Sequence, residues 1–134
     1  MTRTPAAAIV VRIVVAGLAG AIAGIHLDLW SGYGYRHIPT IGPLFLLNGI
    51  SGAILAVASL TLPRRALPLG WLAVAGFAAA TLGALLISLN TTLFGFHEST
   101  SAPLLAASIG VETAAIVVST AGAGWRFTIS GRRR

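Results

Sequence analysis

The sequence predicts an all-α membrane protein: an antiparallel up-down bundle of four transmembrane helices with both termini cytoplasmic. Three observations predict it. The 134-residue chain is 56% hydrophobic and only 9% charged, with a mean hydropathy of +0.89, whereas a soluble domain carries about 25% charged residues to face water. Four apolar stretches are each long enough to cross the hydrocarbon layer, about 30 Å thick, which takes roughly 20 helical residues. Finally, eight of the nine arginines fall on one side of a four-span threading, and there is no lysine.

The first span covers residues 6–27 and is interrupted only by Arg12. A cleavable signal peptide is the rival explanation of this segment, but its apolar run is longer than the usual signal core and no polar mature domain follows. The second span covers 43–62, the third 69–90 and the fourth 104–124; residues 125–134 form a basic tail of what is otherwise a single transmembrane domain, 1–134. Pro5, Pro43, Pro68 and Pro103 each stand at a helix beginning, where the missing N–H is no loss. Pro39 and Pro63 fall in loops, so no proline breaks a span.

Orientation follows from the arginines, because cytoplasmic loops carry the excess of basic residues. Arg3 and Arg12 lie at the amino end, Arg64 and Arg65 between the second and third spans, and Arg126 with Arg132, Arg133 and Arg134 at the carboxyl end. Only Arg36 lies opposite. Trp71 and Trp125 are expected as aromatic anchors at the inner boundary, and Trp30, Tyr33 and Tyr35 at the outer one. The expected location is therefore the bacterial plasma membrane. A net charge of +6 needs no nucleic-acid partner once the arginines set topology.

Lipid tails are as apolar as leucine, so membrane helices associate through small residues that let backbones approach. Gly20 with Gly24, Gly49 with Ala53, Gly76 with Ala80 and Gly110 with Ala114 supply such pairs. They serve packing within the bundle or, as the alternative, a homo-oligomer or another membrane-protein partner.

Polar residues at membrane depth carry what functional signal there is. Glu112 lies nine residues after Pro103, about 13 Å into its helix at 1.5 Å per residue. It keeps its proton, pairs with Arg12, or serves as a proton or cation relay. Arg12 has its own structural reading, with its long side chain reaching back to the interface.

A second group gathers toward the outer side: His26, Asp28, Tyr35, Arg36, Asn48, Asn90, His97 and Glu98. Four readings fit it. Histidines and carboxylates are ligands for zinc, copper or iron, which makes His26 and His97 the metal candidates. Two histidines on facing helices hold haem axially. The cluster lines a pocket for an organic ligand or quinone. Or Arg36 pairs with Asp28 or Glu98 and the histidines line loops. The absence of cysteine excludes thiolate sites and disulfides, no motif calls for a cofactor, and no catalytic set stands out.

His26-Leu-Asp-Leu-Trp30, Tyr35-Arg-His-Ile-Pro-Thr-Ile-Gly-Pro-Leu-Phe-Leu-Leu-Asn48 and Leu93-Phe-Gly-Phe-His-Glu98 resemble a pattern in uncharacterised small four-span integral membrane proteins of GC-rich bacteria. The resemblance implies an integral membrane protein, brings no activity with it, and marks the outer segments as the recognisable part. Small multidrug transporters have a similar length but carry their essential carboxylate in the first helix, where this chain has Arg12. The leading expectation is an interaction or accessory subunit of the envelope. The alternatives are a transporter or channel protomer using Glu112, or a metal, haem or quinone protein using His26 and His97.

Overall fold

Long runs of Ala, Leu, Val and Ile with no internal proline leave the backbone one way to satisfy its own hydrogen bonds away from water, the α-helix. The computed structural model, which describes residues 6–131, has four: α1 (Ala6–Gly32), α2 (Ile41–Thr61), α3 (Leu67–Asn90) and α4 (Leu105–Gly131). Each is long and apolar enough to cross a membrane, α4 over Leu105–Arg126. A 3-10 turn, Tyr35–His37, lies between α1 and α2, and no strand occurs among the described residues. Arg3, Pro5 and the run 132–134 lie outside them.

Two helices run past the ends of the spans expected from the sequence, 6–27 and 104–124. α1 continues past Asp28 to Gly32, so His26 lies inside the helix rather than at its end. α4 continues through Arg126 to Gly131, so most of the basic tail extends the helix. A polar residue at the edge of a span costs little once its side chain reaches water, and the backbone hydrogen bonds carry on. Pro68 is the second residue of α3, as a helix-starting proline should be; Pro43 is the third of α2, and Pro103 precedes α4.

The four helices run up and down, so both described ends lie at one end of the bundle, here the terminal end. Loops 33–40 and 91–104 lie at the other, the distal end. α1 packs most closely on α2 and α3 on α4; α1 also touches α4, whereas α2 and α3 touch little. The chain is thus two helical hairpins joined by the short turn 62–66.

The distribution of side chains is that of a bundle solvated by lipid. Ile9, Ile13, Ile54, Val57, Leu69 and Val117 are half exposed or more, while the buried set is dominated by small residues such as Ala19, Ala78, Ala115 and Ala123. Close approach of backbones, rather than burial of large aliphatics, holds such helices together. At Gly52 an added Cβ would stand 3.0 Å from both the Ala19 carbonyl oxygen and the Ala23 Cβ. Gly49 faces Leu27 across the same seam, while nothing lies near Gly24, Gly76 or Gly110. Only part of the small-residue pattern is therefore spent inside the bundle. Gly52→Val is expected to destabilise the α1–α2 hairpin by about 1–3 kcal/mol, the usual cost of overpacking. Unfolding in mixed detergent micelles would show it; an unchanged midpoint would contradict the contact.

Trp71 departs from its expected role as an interfacial anchor. It is fully buried, at the centre of a cluster with Val15, Ala19, Ile22, Val74 and Ala115 that fills the middle and terminal half of the bundle. Gly122 makes room for it: a Cβ there would meet the Trp71 ring at 3.0 Å and Val11 Cγ1 at 2.9 Å.

Backbone strain is confined to the distal loops. Thr40, Phe94 and Leu104 have φ of 65°, 52° and 59° and are the non-glycine residues with positive φ among those described. Left-handed backbone costs an L-residue roughly 1–2 kcal/mol, so the surrounding contacts must hold these loops in place. One such contact is at Gly42, where a Cβ would lie 2.6 Å from the Arg36 carbonyl oxygen. The start of α2 presses directly on the 3-10 turn.

Candidate functional site

Where α2 and α3 diverge, in the distal half, the bundle holds a cavity of about 220 Å³. All four helices present one face to it, with the three- and four-residue spacing that stacks side chains on a helix. α2 contributes Ile41, Phe45 and Asn48; α3 contributes Phe77, Thr81, Ala84 and Ser88; α4 contributes Ser108 and Glu112; α1 contributes His26 and Leu29. Tyr35, Phe96 and Glu98 from the two distal loops cover it.

The cover is cross-linked. Tyr35 donates a 2.9 Å hydrogen bond to Glu98 Oε2, and the Ser99 backbone N–H donates to Glu98 Oε1 at 3.0 Å. The Glu98 N–H reaches the Ser88 carbonyl at 2.8 Å, which ties the second loop to the end of α3. Tyr35 stacks on Phe45 with ring centroids 4.8 Å apart and meets Phe96 edge-on at 6.0 Å. Burial, and then the bond and charge of Glu98, push the Tyr35 hydroxyl well above its ordinary value, so it remains a donor.

His26 is buried beneath this cover, its ring centroid 5.1 Å from that of Phe45. Nδ1 lies 2.9 Å from the Ile22 carbonyl. A carbonyl only accepts, so Nδ1 carries the proton and Nε2 is the nitrogen left to the cavity. Asn48 and Ser108 line the cavity with side chains that make no hydrogen bond to the described residues.

Glu112, 2% exposed, forms the cavity floor. It lies seven residues into α4, about 10 Å from the distal end. Oε2 is buried and has no partner among the described residues. The adjacent Thr81 hydroxyl lies 3.0 Å from the Ala78 carbonyl and is also within hydrogen-bonding reach of Glu112.

Arg12 is not the partner of Glu112. It donates instead to the Leu62 carbonyl at the end of α2, in the terminal half of the bundle. The outer residues divide in the same way. His26, Tyr35, Asn48 and Glu98 line the cavity; Asp28, Arg36, Asn90 and His97 are exposed and do not. Arg36 pairs with neither Asp28 nor Glu98: its Nε lies 3.1 Å from His37 Nε2. Asn90 returns to the Leu86 carbonyl at 2.7 Å, and His97 Nδ1 lies 3.1 Å from the Thr91 carbonyl.

His26 and His97 therefore share no pocket, and no three metal-ligating side chains group together among the described residues. Size speaks against haem as well. A dry cavity of about 150 Å³ takes one benzene, so 220 Å³ suits a single ring with a short substituent. Thr81, Ser88 and Ser108 belong to the site without having been singled out in the sequence. Their signal was spacing: Ser108 precedes Glu112 by four residues, and Thr81 precedes Ser88 by seven. No protein-family model, curated protein or solved structure matches the chain.

Proposed function

We propose that this chain is a multi-pass protein of the bacterial plasma membrane, termini cytoplasmic, that binds a small amphipathic organic molecule in its outer-facing cavity. The observation that carries this reading is the cavity itself: apolar walls with a few converging polar groups are the usual form of a small-molecule site. Glu112 Oε2, beside that cavity, is buried without a partner among the described residues, and an unsatisfied buried polar group costs about 1–3 kcal/mol. A subunit acting through interactions alone would have no use for that expense. The reading thus keeps the membrane location and replaces the accessory role with ligand binding.

The transporter alternative draws on the same Glu112, but the cluster around Trp71 fills the bundle beneath it. Binding is therefore favoured over conduction.

The test is native mass spectrometry of the protein purified in mild detergent from cells expressing it at native level. A non-covalent small molecule of single-ring size is expected on the wild type and not on Ala84→Phe, which fills the cavity. A wild type as bare as the variant would sink the reading.

A further inference from the structure

The chemistry of the cavity wall narrows the class of ligand, and the narrowing rests on the binding role just proposed. Two of the three acids of the chain, Glu98 and Glu112, line the cavity, and no arginine does. The arginines among the described residues are engaged or exposed elsewhere. Arg12 is on the Leu62 carbonyl and Arg126 reaches the Arg64 carbonyl, while Arg36, Arg64 and Arg65 are exposed. The two carboxyl groups therefore face a common space with no cation among the described residues.

They are not equivalent. Glu98 already accepts hydrogen bonds from Tyr35 and from the Ser99 N–H. Glu112 has only the Thr81 hydroxyl, which the Ala78 carbonyl shares, and its Oε2 has no donor among the described residues. The other polar groups around the space are neutral: His26 Nε2 accepts, and the Asn48 amide and Ser108 hydroxyl can accept or donate. What the site lacks is a positively charged donor. Its upper wall is aromatic, with Tyr35, Phe45 and Phe96, and Phe77 adds a ring deeper in; ring faces attract a cation electrostatically. An anionic ligand would meet two acids and no counter-charge.

We propose that the ligand is an organic ammonium ion of about single-ring size, its N–H group on Glu112 and its apolar body against the aromatic wall. A buried acid without a charged partner is costly, and a pair with good hydrogen-bond geometry offsets that cost. The ligand supplies the partner that the fold withholds.

The experiment compares two probes of the same shape, tritiated 2-phenylethylammonium and 2-phenylethanol, which differ in carrying –NH₃⁺ or –OH. The full chain is placed in nanodiscs of zwitterionic phosphatidylcholine, so that the lipid surface does not concentrate the cation, and empty nanodiscs give the background. The ammonium is expected to bind at least ~10-fold more tightly than the alcohol, the scale of a charged hydrogen bond. Glu112→Gln is expected to erase that preference while leaving alcohol binding in place, and Ala84→Phe to abolish binding of both probes.

Equal or tighter binding of the alcohol to the wild type, blocked by Ala84→Phe, would overturn the ammonium assignment and leave the binding role standing. Probe binding indifferent to Ala84→Phe would remove the binding role and the assignment with it. The wild-type comparison decides the charge question even where Glu112→Gln fails to assemble.

Discussion

Exchanging the two intramembrane charges, Arg12→Glu together with Glu112→Arg, is expected to abolish assembly of the bundle rather than restore an ion pair. Arg12 is six residues from the start of α1 and Glu112 seven from the start of α4. Those starts lie at opposite ends, so at 1.5 Å per residue the two side chains sit about 9 and 10 Å in from opposite faces. Arg12 caps the carbonyl of Leu62 just after α2, where the helix dipole favours a cation. An acid there meets the wrong end of the dipole, and an arginine at position 112 must fit beneath Ser108 and Thr81. The milder pair is quantitative. Arg12→Ala should cost about 1.5–3 kcal/mol for a charged hydrogen bond, and Glu112→Gln should add to it within about 0.5 kcal/mol, as independent sites do. Unfolding midpoints of the four proteins in mixed micelles give the coupling directly. A favourable coupling above about 1 kcal/mol would mean that the two charges interact after all.

The second large effect is at the distal cover. Tyr35→Ala removes the stack on Phe45 and the edge contact with Phe96, and it strips Glu98 of its side-chain donor. Loss of a buried aromatic costs about 3–5 kcal/mol. Tyr35→Phe isolates the hydrogen bond and should cost about 1–3 kcal/mol, the penalty for a buried acceptor left short of a partner. Hydrogen exchange of loops 33–40 and 91–104 would show where the loss falls: both loops should lose protection together while α1 and α4 keep theirs. Loss confined to one loop would show that Tyr35 does not join them. The same bond has a pH signature. Because the Tyr35 hydroxyl is raised above its ordinary value of 10.0, its contribution is fully present below that pH and is lost as pH climbs through the higher folded value. The cover should therefore hold through mild alkali and fail only beyond it, in wild type and not in Tyr35→Phe.

The spans were legible because lipid leaves the chain so little choice: four apolar runs, prolines at their starts and arginines at one end suffice for an up-down threading. The helix ends were less so. Asp28 and Arg126 are charged, yet both lie within continuing helices, because charge near the edge of a span is compatible with helical backbone. The site was half visible. His26, Tyr35, Asn48 and Glu98 stood out as polar residues near the outer side, but Asp28, Arg36, Asn90 and His97 shared that property and turn away from the cavity. Chemical type and depth do not say which way a side chain faces. Glu112 was separated from the outer group because its depth alone suggested a different layer, and only the divergence of α2 from α3 opens a space deep enough to include it. Thr81, Ser88 and Ser108 are modest polar residues whose importance lies in sharing a helical face with stronger ones. Trp71 shows the same limit in reverse: its position near a span end suggested an anchor, and Gly122 on a distant helix made room for it in the core.

The division into two hairpins bears on how the molecule comes together. His26, Tyr35, Phe45 and Asn48 belong to the first hairpin; Thr81, Ser88, Glu98 and Glu112 belong to the second. Neither half owns a complete wall. Whatever occupies the cavity touches both, so its binding energy also favours their association. Severed between Pro63 and Ala66 and made as two fragments, the chain would rejoin more readily in the presence of its ligand than in its absence. Split-fragment complementation in the membrane would then read occupancy without the ligand ever being seen.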